Sequence, residues 1–331
     1  MVIRGYTFGY LAIVAIALVA YFLPVPDNTR GDAFFALALL CTPAVLVLYP
    51  VWLLVKRHPS PIGQIVQTVR THWRKLLWTI VIYSSLAICL ETFSAIKKSI
   101  PYNIWFYADP FLIDLDRAIF FGADAWQVTH AILGWTTPVQ VWLYAIWHFL
   151  HIGLAIVICF TLDEAQRIRF ALLMQFIWLV LGGFLATISS SVGPIMVGEY
   201  YGDSSFDPLL RTLEQTAPSQ LVIRDRLVAA IDEPNLISGI SAMPSIHVAI
   251  AVCLALFVQH YRIRPLTILA WSYVGTTYIG SMHLGWHYAT DGLVSAPLVI
   301  AAWWALGRLV GWLGTTQITL GRAEGPQPQA V

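Results

Sequence analysis

Charged side chains are scarce in this sequence: Asp, Glu, Lys and Arg make up 11% of the residues, and hydrophobic residues make up 58%. Soluble globular domains carry about 25% charged residues. The shortage of charge therefore excludes an ordinary water-soluble domain and predicts a protein embedded in a membrane. The formal net charge is +1. No basic run interleaved with aromatic residues occurs, so we expect no nucleic-acid partner.

Cysteine is also rare, with four residues in a chain of 331. All four lie in apolar stretches without Cys-x-x-Cys spacing, and they are Cys41, Cys89, Cys159 and Cys253. A free cysteine in such a stretch behaves as a small apolar side chain. We therefore interpret them as packing residues, predict no metal site and expect no cofactor.

Long apolar runs are abundant. A helix needs about 20 apolar residues to cross a bilayer, and eight runs approach this length. We predict an all-α, polytopic integral membrane protein with about eight transmembrane helices, the last six forming the catalytic core. The predicted spans are residues 6–26, 33–55, 76–96, 138–161, 171–190, 242–260, 265–281 and 288–312.

The chain is predicted to form one transmembrane catalytic domain over residues 1–320, with the motif-bearing core at about 76–312. A disordered cytoplasmic tail is predicted at 321–331. Between the second and third spans lie five basic residues, Lys56, Arg57, Arg70, Arg74 and Lys75. By the positive-inside rule this segment is cytoplasmic. Alternation then puts both termini in the cytoplasm and residues 97–137 and 191–241 on the extracytoplasmic or lumenal side.

These two outer segments are long enough to hold structure of their own. Residues 97–137 are rich in aromatic residues that suit the membrane interface, and we expect short helices on the bilayer surface. Residues 191–241 are long for a bare loop, so we expect helices that cap a site.

The first chemical motif is Gly-Ile-Ser-Ala-Met-Pro-Ser-Ile-His at residues 239–247. Pro244 suits the first turn of a helix, and Ser241 could cap it. The free N–H groups of a helix N-terminus bind anions. Ser245 adds a hydroxyl donor, and His247 would project from the first turn.

The second motif is His-Leu-Gly-Trp-His-Tyr-Ala-Thr-Asp at residues 283–291. The spacing of His287 and Asp291 would place them on one helix face. A carboxylate that accepts the Nδ1 proton leaves Nε2 free as a nucleophile. His283 could touch phosphate or be a loop residue. His283, His287 and Asp291 also resemble a metal-binding face, and a plain His–Asp pair at a wet helix end remains open.

Two predicted crossings separate the motifs, so both reach the same side of the membrane. Two histidines, a carboxylate and a helix N-terminus at one place suit phosphoryl transfer. Glu91, His148 and His151 lie in predicted spans, where we expect polar contacts between helices and assign no catalytic role.

The two motifs resemble signatures of the type 2 phosphatidic acid phosphatase superfamily, which are Pro-Ser-Gly-His and Ser-Arg-x5-His-x3-Asp. This chain has Pro-Ser-Ile-His at 244–247 and His-x3-Asp at 287–291. The resemblance implies that His287 forms a phosphohistidine supported by Asp291. It also implies that His247 protonates the leaving oxygen and that Ser245 touches phosphate.

The chain departs from this pattern in three places. It has no Lys-x6-Arg-Pro element, Ser281 stands where the signature has arginine, and Ile246 replaces glycine. Other cations must therefore hold phosphate. The candidates are Arg211, Arg224, Arg226, Lys97 and Lys98. The sequences around both histidines are similar to those of the inositol phosphorylceramide synthase branch of this superfamily.

This resemblance implies a lipid phosphotransferase that moves an inositol phosphate-like headgroup from a phospholipid or lipid phosphate to an alcohol or water. The alternative is a lipid phosphate or polyprenyl pyrophosphate phosphatase with the same histidine mechanism. A metal-dependent membrane hydrolase and a non-enzymatic transporter are further alternatives. The sequence predicts no oligomeric state.

Overall fold

The computed structural model describes residues 2–22, 49–161, 163–230 and 239–319. Within these ranges the chain is helical apart from turns and one pair of three-residue strands, β1 (Val2–Arg4) and β2 (Gln317–Thr319). The strands pair antiparallel, with Ile3 opposite Ile318. The helical fold class predicted from the apolar runs is confirmed.

Twelve helices are assigned in the described ranges. In chain order they are α1 (Gly5–Phe22), α2 (Pro61–Asn103), α3 (Asp109–Ile119), α4 (Ala125–Leu133), α5 (Thr137–Thr161), α6 (Glu164–Ile188), α7 (Val197–Tyr201), α8 (Asp207–Thr216), α9 (Pro218–Ala229), α10 (Ile246–His260), α11 (Arg264–His283) and α12 (Ala289–Thr315). Residues 49–55 are also helical. Helix α6 contains a π-helical segment, Phe176–Leu185.

Four helical stretches among the described residues are long and apolar enough to cross a membrane. They are α2, the continuous stretch Ala125–Cys159, α6 and α12. Shorter apolar helices occur at Gly5–Ala15 and Ile246–His260. These lengths and compositions indicate a membrane protein, whereas the count of eight spans stays a prediction. Most of the predicted span 33–55, and the predicted tail 321–331, lie outside the described residues.

Helix α2 is longer than predicted at both ends. It starts at Pro61 and runs for 43 residues, about 65 Å at 1.5 Å per residue. The segment expected as a cytoplasmic loop is therefore largely helical, because Pro61 stands at the first helical position, where its fixed φ favours helix. At the other end α2 passes the predicted boundary at residue 96, so Lys97 and Lys98 are helical.

The main apolar core joins α1, α2, α5, α6, α10 and α12. Phe93 of α2 packs against Trp178 of α6 with ring centroids 4.9 Å apart. Gly182 allows this approach, since a Cβ there would lie 2.6 Å from the Phe93 ring. This contact fixes which face of α2 turns inward.

A second apolar cluster covers one end of the helix bundle. It is formed by residues of α3, α7 and α8 and of the segments next to these helices and before α12, including Phe106, Leu112, Ile195, Leu209 and Tyr288. The segments 97–137 and 191–241 thus contain helices, as predicted. Both chemical motifs lie at this end, because Leu284 and Tyr288 belong to the same cluster.

Candidate active site

The first motif enters α10 differently from the prediction. The helix begins at Ile246, and Ser245 is its N-cap, with Oγ accepting from the Val248 N–H at 3.4 Å. Pro244, which follows a cis peptide bond, precedes the helix. The predicted cap at Ser241 is therefore wrong, since its hydroxyl instead donates to a nearby backbone carbonyl at 3.3 Å.

The second motif brings His287 and Asp291 together. Asp291 Oδ2 accepts from His287 Nδ1 and from the Tyr288 N–H, both at 3.0 Å, and Asp291 is fully buried. The two residues do not share a helix face, because His287 lies before α12 and Asp291 is its third residue. Asp291 reaches back towards the chain that enters the helix, as in a capping box.

A cavity of about 330 Å³ joins the two motifs, and His247 and His287 both line it. Their ring centroids lie 5.8 Å apart. Tyr144 and Trp147 hold the His247 ring, with centroids 4.3 and 4.2 Å away. Nε2 of His247 is buried without a hydrogen-bond partner among the described residues. The cavity volume falls in the usual range for small-molecule sites.

Most of the cavity wall is apolar. Its apolar and aromatic residues include Phe93, Trp147, Trp178, Val192, Met196, Ile223, Leu227, Ile246 and Trp286. Helix α9 closes part of the cavity through Gln220, Ile223 and Leu227. Gln220 Oε1 accepts from Trp286 Nε1 at 2.7 Å, which ties α9 to the residue before His287. The wall suits a ligand with an apolar portion.

Lys97 is the one lysine or arginine on the cavity wall within the described part of the chain. Its stem packs against Gly239 (φ +133°), where a Cβ would lie 2.8 Å from Lys97 Cγ. The other cation candidates from the sequence do not line the cavity, and they are Lys98, Arg211, Arg224 and Arg226. Arg224 instead pairs with Asp225 at 2.7 Å. Ser94, three residues before Lys97, also lines the cavity, but helical spacing alone does not separate Lys97 from Lys98, which lies four residues after Ser94.

His283 lies away from the cavity. Its fully buried ring ends α11, with Nε2 2.8 Å from Thr137 Oγ1, and it stacks on His130 with centroids 3.8 Å apart. His283 is therefore not among the residues that line the cavity, and the structure gives no support to its predicted phosphate contact. The metal-binding face that included His283 is not assembled either. No group of three metal-ligating side chains was found in the described ranges.

Ser245 and two further histidines also differ from expectation. Ser245 is fully buried as the cap of α10 and does not line the cavity, so its predicted phosphate contact stays a prediction. His148 and His151 do line it, and the His148 ring centroid is 6.2 Å from that of His247. Their three-residue spacing puts them on one face of α5, and this is the sequence feature that indicates a shared location. Glu91 is buried in α2 and is not on the wall.

Two aspartates of α3 hold the segment that carries His287. Asp116 accepts from the N–H groups of Ala289 at 2.7 Å and Thr290 at 3.1 Å, at the start of α12. Burial raises the pKa of the Asp116 carboxyl, and these two donors oppose the rise. Asp109 accepts from the Tyr288 hydroxyl at 2.8 Å. The roles of Asp109 and Asp116 were not predicted from the sequence. Acidic residues in a short surface helix do not indicate that their partners lie at residues 288–290, more than 170 positions later.

Comparison with family models identifies the family of this chain. Residues 110–305 match the family model described as the PAP2 superfamily, a range that covers more than half of the chain and contains both motifs. No curated protein and no solved structure matched.

Proposed function

We propose that this chain, which belongs to the PAP2 superfamily, transfers an inositol phosphate-like headgroup from a phospholipid to an alcohol through a phosphohistidine on His287. Membership makes the chain an enzyme of the phosphatase or phosphotransferase type and indicates a lipid phosphate substrate. The observation that carries the proposal is the pair His247 and His287 on one cavity wall, with His287 Nδ1 bound to buried Asp291.

His287 is the proposed nucleophile. The Asp291 carboxylate accepts a hydrogen bond from the His287 Nδ1–H, with 3.0 Å between Nδ1 and Oδ2, which leaves the Nε2 lone pair available for bond formation. In the first step Nε2 forms a bond to phosphorus as the bond from phosphorus to the donor-lipid oxygen breaks. The ring becomes cationic, and the carboxylate stabilises this charge.

His247 is the proposed acid and base. Its Nε2 has no partner among the described residues although it is buried, so a substrate oxygen can take that position. In the first step His247 protonates the departing oxygen. In the second step it takes the proton of the acceptor hydroxyl, whose oxygen attacks the phosphohistidine and releases His287. Positioned acid–base catalysis contributes about 10²–10⁴-fold.

Lys97 is the proposed phosphate-binding cation in place of the missing arginine. It lies on the same cavity wall as both histidines. The first turn of α10 adds Ile246 and His247 to the wall, and N–H groups at a helix N-terminus favour an anion. A cation and a helix N-terminus together can balance the charge of a phosphoester.

The apolar cavity wall and helix α9, which covers part of it, favour transfer over hydrolysis. Once His287 carries phosphorus, the product depends on which nucleophile reaches it beside His247. Ile223 and Leu227 of α9 cover part of the cavity, and covering an active site reduces the access of free water. An alcohol held there gains effective concentration over bulk water.

Hydrolysis of a lipid phosphate or polyprenyl pyrophosphate is the second candidate function. Superfamily membership favours it, and the same residues would act with water as the acceptor. In either case we propose that the site faces the extracytoplasmic or lumenal side and that both termini are cytoplasmic. The basic segment at residues 56–75 supports this orientation.

The deciding experiment supplies purified enzyme with a labelled phosphodiester lipid or phosphomonoester lipid, with and without polyol and lipid-alcohol acceptors. A new phosphodiester that forms faster than free phosphate or phosphorylated headgroup supports transfer. Dominant release of phosphate from the monoester with every acceptor supports hydrolysis instead. His287→Ala should abolish both products and any acid-labile phosphoenzyme. His72→Ala, a change of an exposed histidine in α2, is the matched control and should retain activity.

A further inference from the structure

Asp109 is a fully buried carboxylate that accepts hydrogen bonds from four groups. Oδ1 accepts from the Gly193 N–H at 2.9 Å and the Tyr288 hydroxyl at 2.8 Å. Oδ2 accepts from the Val192 N–H and the Tyr201 hydroxyl, both at 2.9 Å. Burying a carboxylate is costly unless hydrogen bonds compensate. These bonds connect α3, the turn after α6, α7 and the start of α12.

We propose that Asp109 is a positioning residue for His287 and acts through the hydroxyl of Tyr288. The inference rests on the proposed role of His287 as nucleophile. Tyr288 follows His287 directly, and its backbone N–H donates to the same Asp291 Oδ2 that accepts from His287 Nδ1. One tyrosine therefore connects Asp109 to the His287–Asp291 pair.

Asp109 also holds the residues on the other side of His287. Gly193 has φ +85°, and a Cβ there would lie 2.6 Å from the carbonyl oxygen of Trp286. The Ile195 N–H donates to the Gly285 carbonyl at 2.8 Å. The turn that donates to Asp109 thus packs directly against the residues before His287, so the same carboxylate restrains the backbone on both sides.

The Tyr288 hydroxyl is suited to this role. Tyr288 is 2% exposed, and burial together with the Asp109 charge raises the pKa of its phenol, so it keeps the proton that it donates. Without this bond the ring would lose its polar anchor while its volume stayed the same. Nucleophilic attack requires close alignment of the reacting atoms, and a displacement of about 1 Å can cost about 10²-fold in rate.

Two tyrosine variants separate positioning from general stability. Tyr288→Phe and Tyr201→Phe each remove one hydroxyl donor from Asp109, but only Tyr288 adjoins the nucleophile. We expect Tyr288→Phe to lower kcat and the single-turnover rate of phosphohistidine formation by about 10- to 100-fold with little change in KM. Tyr201→Phe should stay within about threefold of the parent enzyme. Rates are normalised to the monodisperse folded fraction, and the thermal unfolding midpoint is measured for both variants.

A double-mutant cycle tests whether Asp109 and Tyr288 act together. In an Asp109→Ala background, Tyr288→Phe should lower kcat little further, because the acceptor of the Tyr288 hydroxyl is already gone. Full additivity, or equal losses in Tyr288→Phe and Tyr201→Phe, would overturn the inference. The His287→Ala control distinguishes failure of the proposed function from failure of the positioning role of Asp109. If it stays active, the proposed function fails; if it is inactive while Tyr288→Phe matches the parent, only the positioning role fails.

Discussion

Replacing Asp291 by Asn tests the charge of the carboxylate apart from its hydrogen bonds. Oδ2 accepts from His287 Nδ1 and the Tyr288 N–H, whereas Oδ1 is buried without a hydrogen-bond partner among the described residues. An amide whose oxygen takes the Oδ2 position can keep both bonds. We therefore expect Asp291→Asn to fold and to keep the orientation of His287 while losing the negative charge.

The size of the effect follows from the geometry. Bond formation at Nε2 makes the His287 ring cationic, and the 3.0 Å contact between Nδ1 and Oδ2 puts the two charge centres about 4 Å apart. Two unit charges at this distance interact by about 4 kcal/mol at an effective dielectric constant of about 20. An increase of about 1.4 kcal/mol in the activation free energy lowers the rate tenfold. We therefore expect kcat to fall about 10³-fold. This is somewhat less than the loss of about 10⁴-fold when the carboxylate of a catalytic triad is replaced by an amide.

The assay is steady-state turnover of the labelled lipid, with single-turnover trapping of the phosphoenzyme. KM should change little, and the thermal unfolding midpoint should show that the variant is folded. Asp203→Asn serves as the control, because Asp203 is exposed and caps only a surface turn by accepting from the Ser205 N–H. A kcat for Asp291→Asn within tenfold of the parent value, with His287→Ala inactive, would refute the electrostatic reasoning.

Three further predictions test the phosphate site, the acid and the orientation. Lys97→Met should lower kcat/KM by about 10- to 150-fold, the rate equivalent of a hydrogen bond to a charged group, whereas Lys98→Met on the same helix should stay within about threefold; equal losses would remove the role of Lys97. His247→Ala should still accumulate acid-labile phosphoenzyme from a donor with a good leaving group but should not turn it over, and rapid turnover would contradict its role as base. A cysteine replacing exposed Ser204 should react with an impermeant thiol reagent in intact cells, and one replacing exposed Ser60 should not; labelling at position 60 alone would invert the orientation.

Helix positions were predictable where an uninterrupted apolar run determines them. The predicted span 138–161 corresponds to α5 (Thr137–Thr161), and 288–312 corresponds to α12 (Ala289–Thr315). The length of helix α2 was underestimated, because polar residues mark where a chain leaves the bilayer but do not end a helix. The hydropathy pattern therefore predicts where a helix enters lipid, and hydrogen bonding decides where it stops.

The pairing of His287 with Asp291 was predictable from spacing, although the local geometry was not. A carboxylate four residues after a histidine can reach it from several backbone conformations. The extended backbone of Tyr288 (φ −74°, ψ 158°) delays the start of α12 to Ala289. Hydrogen bonds that Asp109 and Asp116 accept from residues 288–290 hold the backbone there.

The choice of cavity residues required the tertiary structure. Whether Lys97 or Lys98 faces the cavity depends on how α2 packs, which Phe93 and Trp178 determine. The removal of His283 from the site depends on its stacking with His130, 153 residues earlier in the chain. Single-sequence patterns contain neither contact.

The short strand pair constrains the topology of the whole chain. Residues 2–4 pair with residues 317–319, and the Gly5 N–H donates to the Thr316 carbonyl at 2.9 Å. Two strands joined by backbone hydrogen bonds occupy the same side of a bilayer. The number of crossings between Arg4 and Gln317 must therefore be even. The predicted count of eight satisfies this parity, and any odd count would separate the two strands across the membrane.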